Sequence, residues 1–190
     1  MKKRIINSAL IIIVACIAAS SALLVSCSKP KDYRTDENKF ATVTEGKTQL
    51  SGYLYLVDYN ATLDICDADG NVLQSFALPN VGNEYYTSLD FSYAFEEAKF
   101  QDMNFDSFPD LYVPLSVTTT NLEGMAWLWD AEKSEFVLSD ELSRLYELTV
   151  VAEEEMITSF DRTDLERIIQ RDYKWEDGKL TQISEYTVTN

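Results

Sequence analysis

The sequence predicts an all-β domain, antiparallel and hairpin-built, of propeller-like or sandwich type, with one or two short helices. Three observations point there. Short alternating runs rich in Tyr, Phe, Val and Thr recur along the chain, and aromatics make up 12% of it, a composition suited to half-buried strands. Asp-Gly pairs at Asp69-Gly70 and Asp177-Gly178 stand between such runs, where two-residue hairpin turns need them. The runs follow one another at the regular short spacing of an antiparallel domain.

The N-terminus is a separate matter. Met1-Lys2-Lys3-Arg4 is basic, and no charge follows from Ile5 to Ser26. A basic start, an apolar stretch and small residues before a cut mark an export signal. Leu24-Val25-Ser26-Cys27 resembles the bacterial lipobox. That resemblance implies cleavage before Cys27 and a lipid thioether on its sulfur, giving a membrane anchor. Ile13-Val14-Ala15-Cys16 fits the same pattern, but cleavage there would leave an apolar stub, Ile17–Val25. An uncleaved spanning helix is the other reading, since such a helix wants ~20 apolar residues. Either way the domain lies outside the cytoplasm, and the lipoprotein reading places it in the cell envelope. The expected organisation is a signal peptide over 1–26, a lipidated flexible tether over 27–47 and one β domain over 48–190. The tether expectation rests on the polar, mixed-charge run Ser28–Lys47.

Within the domain, Leu50–Tyr59 reads as a strand. Ala61–Cys66 and Val72–Leu78 form a hairpin around Asp67-Ala68-Asp69-Gly70-Asn71. Pro79–Glu84 is a loop. Tyr85–Phe100, with Leu89, Phe91 and Tyr93 alternating, is expected to hold one or two further strands. After Asp102–Asp110, residues Leu111, Val113, Leu115 and Val117 alternate, with Pro114 marking an edge or a bulge. Met125–Asp130 carries Trp127 and Trp129 on one face, and alternating tryptophans in a strand are more often core than a sugar-stacking surface. Phe136–Leu138 follows, then a short helix over Asp140–Tyr146. Val150–Phe160 is mostly extended, interrupted by Glu153-Glu154-Glu155. Thr163-Asp164-Leu165-Glu166 has capping-box spacing and predicts one helical turn through Ile168 and Ile169. The last hairpin runs from Tyr173-Lys174-Trp175 through Asp177-Gly178 to Leu180–Val188.

One stretch carries a chemical pattern. Asp102-Met103-Asn104-Phe105-Asp106-Ser107-Phe108-Pro109-Asp110 places oxygen side chains at loop positions 1, 3, 5 and 9. Carboxylates converging in a tight turn repel unless a cation joins them. Calcium takes six to eight oxygen ligands in flexible geometry. The candidate ligands are Asp102, Asn104, Asp106, Asp110 and the backbone carbonyl of Phe108. The loop resembles the calcium loops of integrin-type FG-GAP repeats but has Ser107 where that family has glycine, which supplies a positive φ without strain. The other reading is an Asx-rich turn without an ion. Phe100–Leu145, with Trp127-Leu128-Trp129-Asp130 and Glu141-Leu142-Ser143, followed by Tyr173–Leu180, resembles small envelope lipoproteins related to periplasmic lysozyme inhibitors. The resemblance implies a calcium-loop, propeller-like β fold and an immunity role against a peptidoglycan hydrolase.

Charge limits the partners. The chain carries a net −16, and loss of Lys2, Lys3 and Arg4 with the signal takes it near −19. Such a surface repels nucleic acid and suits a cationic protein, such as a cell-wall hydrolase. Histidine is absent, which removes the usual general base. No nucleophile elbow, phosphate loop or Cys-x-x-Cys motif is present. The expectation is therefore a binding or inhibitor module with no catalytic residues. The alternatives are a structural envelope lipoprotein with a stabilising calcium site, and a glycosidase using paired carboxylates. With Cys27 lipidated, Cys66 has no partner for a disulfide in the mature chain.

Overall fold

The structure, a computed structural model, describes residues 31–45, 48–58, 60–78, 88–117, 121–163 and 166–189. The signal segment, Cys16 and Cys27 lie outside these residues. The chain divides into two units, Met1–Asp32 and Tyr33–Asn190. Only Lys31 and Asp32 of the first are described.

Tyr33–Asn190 is all-β, as the sequence predicts. It is made of three antiparallel four-stranded sheets, each a meander in chain order. The first holds β1 (Lys39–Glu45), β2 (Thr48–Val57), β3 (Asn60–Cys66) and β4 (Val72–Leu78). The second holds β5 (Lys99–Gln101), β6 (Asp110–Val117), β7 (Leu122–Asp130) and β8 (Glu135–Leu138). The third holds β9 (Thr149–Val151), β10 (Met156–Arg162), β11 (Arg167–Glu176) and β12 (Lys179–Thr189). Two α-helices are described, α1 (Ser88–Glu97) and the single turn α2 (Asp140–Ser143).

The middle sheet is buried on both faces. Leu111, Val113, Trp127 and Phe136 join Leu54, Leu63 and Ile65 of the first sheet in one core. The alternate residues Tyr112, Ala126 and Leu128 join Ile157, Tyr173 and Trp175 of the third sheet in another. Period-two alternation on a strand with both faces covered produces this division. It also explains why Asp110–Pro114 is buried at every position. Trp127 is core, and half-buried Trp129 packs against the same cluster, edge-on to Phe136 at 4.9 Å between centroids. Pro114 stands beside a register shift in the β6–β7 pairing and beyond the reach of β5, which pairs only as far as Tyr112. Its missing N–H therefore interrupts no ladder on that side.

Three expectations are corrected. The tether does not extend to Lys47: Lys39–Glu45 pairs with β2 as the first strand of the domain. Phe40 covers Gly52, where a Cβ would overlap the ring, and stacks on Phe100 at 5.8 Å. Tyr33 stacks on Tyr55 at 5.4 Å, so the compact unit begins by Tyr33. Ser88–Glu97 is a helix, not strands. Its alternating aromatics hide a four-residue repeat, Ala94 and Ala98, both buried, with the Ala98 N–H donating to the Ala94 carbonyl at 3.0 Å. Ile168 and Ile169 lie in β11, paired with Val188 and Thr187 of β12; the ladder overrides the capping-box signal.

Tyr112 supplies a stability test. Its side chain is buried, and its hydroxyl finds no hydrogen-bond partner. An unsatisfied buried hydroxyl costs about 1–3 kcal/mol. Tyr112→Phe is thus expected to raise the unfolding free energy by about 1 kcal/mol, measured by urea titration. A loss of stability would mean that the hydroxyl is satisfied in solution.

Candidate functional site

The loop between β5 and β6 is closed by its own side chains. Asp102 Oδ1 accepts from the Phe105 N–H at 2.6 Å and Oδ2 from the Ser107 N–H at 2.9 Å. Asn104 Oδ1 accepts from the Asp106 N–H at 3.1 Å, and its amide donates to Asp106 Oδ2 at 2.8 Å. Asp106 Oδ1 accepts from the Phe108 N–H at 2.8 Å. Such short polar side chains satisfy turn backbone that no ladder reaches.

Asp110 ties this loop to the sheet. It is fully buried and forms no ion pair among the described residues. Oδ2 accepts from the Met103 N–H at 2.7 Å and the Asn104 N–H at 3.3 Å; Oδ1 accepts from the Trp129 N–H on β7 at 2.9 Å. Burial pushes its carboxyl up to about 7; donation from Trp129 and Met103 opposes that rise, and the charges of Asp106 and Asp102 add to it.

The loop thus brings Asp102, Asn104, Asp106, Phe108 and Asp110 together, but their oxygens face N–H groups, and Phe108 is held through its N–H. Among the described residues no group of three or more acidic or cysteine side chains is gathered to hold a metal ion. The donor chemistry suits calcium, while these side-chain positions do not converge on one centre. Phe105 and Ser107 have positive φ, 62° and 73°. Ser107 therefore adopts the left-handed backbone that glycine supplies in the FG-GAP-type loops. Its N–H, not its side chain, makes the bond to Asp102. Ser107→Gly is expected to stabilise the fold by up to about 1 kcal/mol, read from urea unfolding; a clear destabilisation would contradict the strain assigned to it.

Beside the loop lies a groove of about 510 Å³, within the ~300–1,000 Å³ common for ligand sites. Its walls come from five places: Asn104, the end of β7 (128–130), Val137 and Leu138 of β8, the start of α2 (139–141), and Trp175 with Gly178 at the last hairpin. Leu128 and Val137 are register partners on β7 and β8. Val137 and Leu138 are 42% and 43% exposed, more than apolar strand residues need to be. Trp175 is fixed by its indole N–H, which donates to the Met103 carbonyl at 2.8 Å. Asp130 is occupied by Lys133 at 2.6 Å. Asp140 and Glu141 are exposed and form no ion pair among the described residues. Of these residues the sequence singles out only Asn104, as a candidate calcium ligand, and Trp129, as one of two alternating tryptophans.

Elsewhere, the acid run Glu153–Glu155 is an exposed turn. Asp172 is buried, which opposes its charge, but donation from Ser184, Gln170 and Thr158 outweighs that and holds its pKa below the ordinary value. Cys66 is buried on β3, which raises its thiol pKa.

No family model matches the chain, and no curated protein matches it. Among solved structures it is similar to one described as a Xanthomonas Type IV Secretion System related protein, at 14% identity and a TM-score of 0.48. The alignment covers 77% of this chain and 80% of that one. Among the described residues no helix is long and apolar enough to cross a membrane.

Proposed function

We propose that this chain is a lipid-anchored envelope protein that binds a cationic protein, with a peptidoglycan hydrolase as the partner it inhibits. The observation that carries the reading is the groove. It offers exposed apolar side chains of β8 and, at the start of α2, acids that form no ion pair among the described residues, beside strands whose centre is buried on both faces, a scaffold that is already organised for binding. The net charge of −16 supports the choice of partner, because an acidic surface steers a basic protein toward it. The residue order of the lipobox supports the anchor at Cys27. Calcium belongs to the proposal through the loop's order of Asp102, Asn104, Asp106 and Asp110, the left-handed Ser107 and the buried Asp110, which forms no ion pair among the described residues. The carboxylates have lone pairs left beyond those used by N–H donors. A structural lipoprotein without a partner is the second reading, favoured by the way Asp110 knits β5, β6 and β7 together.

The test is to titrate the full chain, in non-ionic detergent, into cationic lysozymes and other wall hydrolases while following the turbidity of cell-wall suspensions. Saturable inhibition near one-to-one stoichiometry supports the proposal, and none across a broad panel overturns it. Anchoring has its own test: Cys27→Ser is expected to abolish labelling by a fatty-acid analogue and leave uncleaved precursor. Normal maturation, or label retained at Cys16, would contradict it.

A further inference from the structure

We propose that the groove receives an arginine side chain of the partner protein. This rests on the binding function proposed above and names the chemistry of its central contact. The wall formed by Leu128 and Val137 is apolar, and Trp175 of the third sheet lines the same groove. Such walls take the methylene stem of a long basic side chain and stack its planar head. The acids at the rim, Asp140 and Glu141, which form no ion pair among the described residues, only accept hydrogen bonds when ionised. A guanidinium is the complementary guest, because it carries five donors and no acceptor.

Acids in the first turn of α2 also favour the helix itself. That accounts for Asp140 and Glu141 within the turn, but not for the exposed Val137 and Leu138 beside them. A sugar is a poorer guest. The Trp175 indole N–H in the groove wall is already given to Met103, and a neutral sugar would leave the charges of Asp140 and Glu141 without a counter-ion. The same bond makes the Asp102–Asp110 loop a positioning element for the arginine, since Met103 is held by Asp110 at 2.7 Å.

The experiment is a nitrogen-15 NMR titration of the full chain in non-ionic detergent with Nα-acetyl-arginine amide. Nα-acetyl-norleucine amide and chitotriose serve as the neutral and sugar controls. The three tryptophans give separate indole signals. A saturable shift of the Trp175 indole is expected with the arginine probe and not with norleucine. In the exposed double variant Asp140→Asn/Glu141→Gln, binding is expected to be roughly three- to tenfold weaker, as for two solvent-facing ion pairs. No Trp175 shift with arginine, a shift indifferent to the double variant, or a stronger response to chitotriose would each overturn the proposal. Hydrolase inhibition undiminished in the double variant would also overturn it while leaving the inhibitor function standing. Inhibition absent in the unmodified chain, by contrast, is a failure of the function.

Discussion

Asp110→Ala is expected to lower the unfolding free energy by at least about 3 kcal/mol, since it strips the acceptor from three backbone N–H groups at about 1–3 kcal/mol each when buried. Those groups belong to Met103, Asn104 and Trp129. The loss is large against the ~5–15 kcal/mol that keeps a domain folded. Its effect should be local first. The Trp129 amide should exchange faster, and Trp175 should lose its fixed partner when the Met103 carbonyl moves. Asp110→Asn keeps one carbonyl acceptor but turns an amide toward N–H donors, so an intermediate loss is expected. Urea titration with amide exchange reads both. A loss under about 1 kcal/mol for Asp110→Ala would mean that the loop closes without it.

Gly52→Val should cost about 2–4 kcal/mol, the range of a severe overpacking error. The new side chain would occupy the space of the Phe40 ring, forcing Phe40 off Phe100 and loosening β1. Amide protection in Ala41–Glu45 should fall before that of β3. Adding Phe40→Ala should recover part of the loss, because the two sites share one space and are therefore coupled. If the stretch through Lys47 were a tether after all, Gly52→Val would cost no more than about 0.5 kcal/mol, like any surface change.

The parts of the fold legible in the sequence are those whose cause is local. At Asp67-Ala68-Asp69-Gly70-Asn71 the Asp67 carboxylate accepts from the N–H groups of Asp69 and Asn71, and Gly70 takes φ 82°. At Asp177-Gly178 both residues have positive φ, 51° and 74°, as a tight hairpin demands. Ser139 caps α2 by accepting from the Leu142 N–H at 3.3 Å. What was hidden depends on distant chain. β1 holds a short uncharged run, Phe40–Thr44, between Lys39 and Glu45 in a charged stretch, and it becomes a strand because Gly52 leaves room for Phe40. The helix α1 reads as strands because alternation at Leu89, Phe91, Tyr93 and Phe95 satisfies period two as well as its Ala94–Ala98 repeat satisfies a helix. At Ile168 and Ile169 the signal for a helix start was present, and pairing with β12 won.

The candidate site divides in the same way. The loop was legible because its residues are consecutive, and so was the unusual backbone at Ser107. The direction of the Asp110 carboxylate was not, because one of its oxygens accepts from the N–H of Trp129, on another strand. The groove left no local trace. It assembles Leu128, Val137, Asp140 and Trp175 from segments that only the stacking of the second and third sheets brings together.

The most direct measurement of the central claim is calorimetric binding of the full chain, in non-ionic detergent, to a wall hydrolase that it inhibits in the turbidity assay, repeated at rising salt. One-to-one binding that weakens steeply with salt, as an acidic surface meeting a basic one must, is the predicted result. Binding of the same strength at low and high salt, or none at all, would contradict the account.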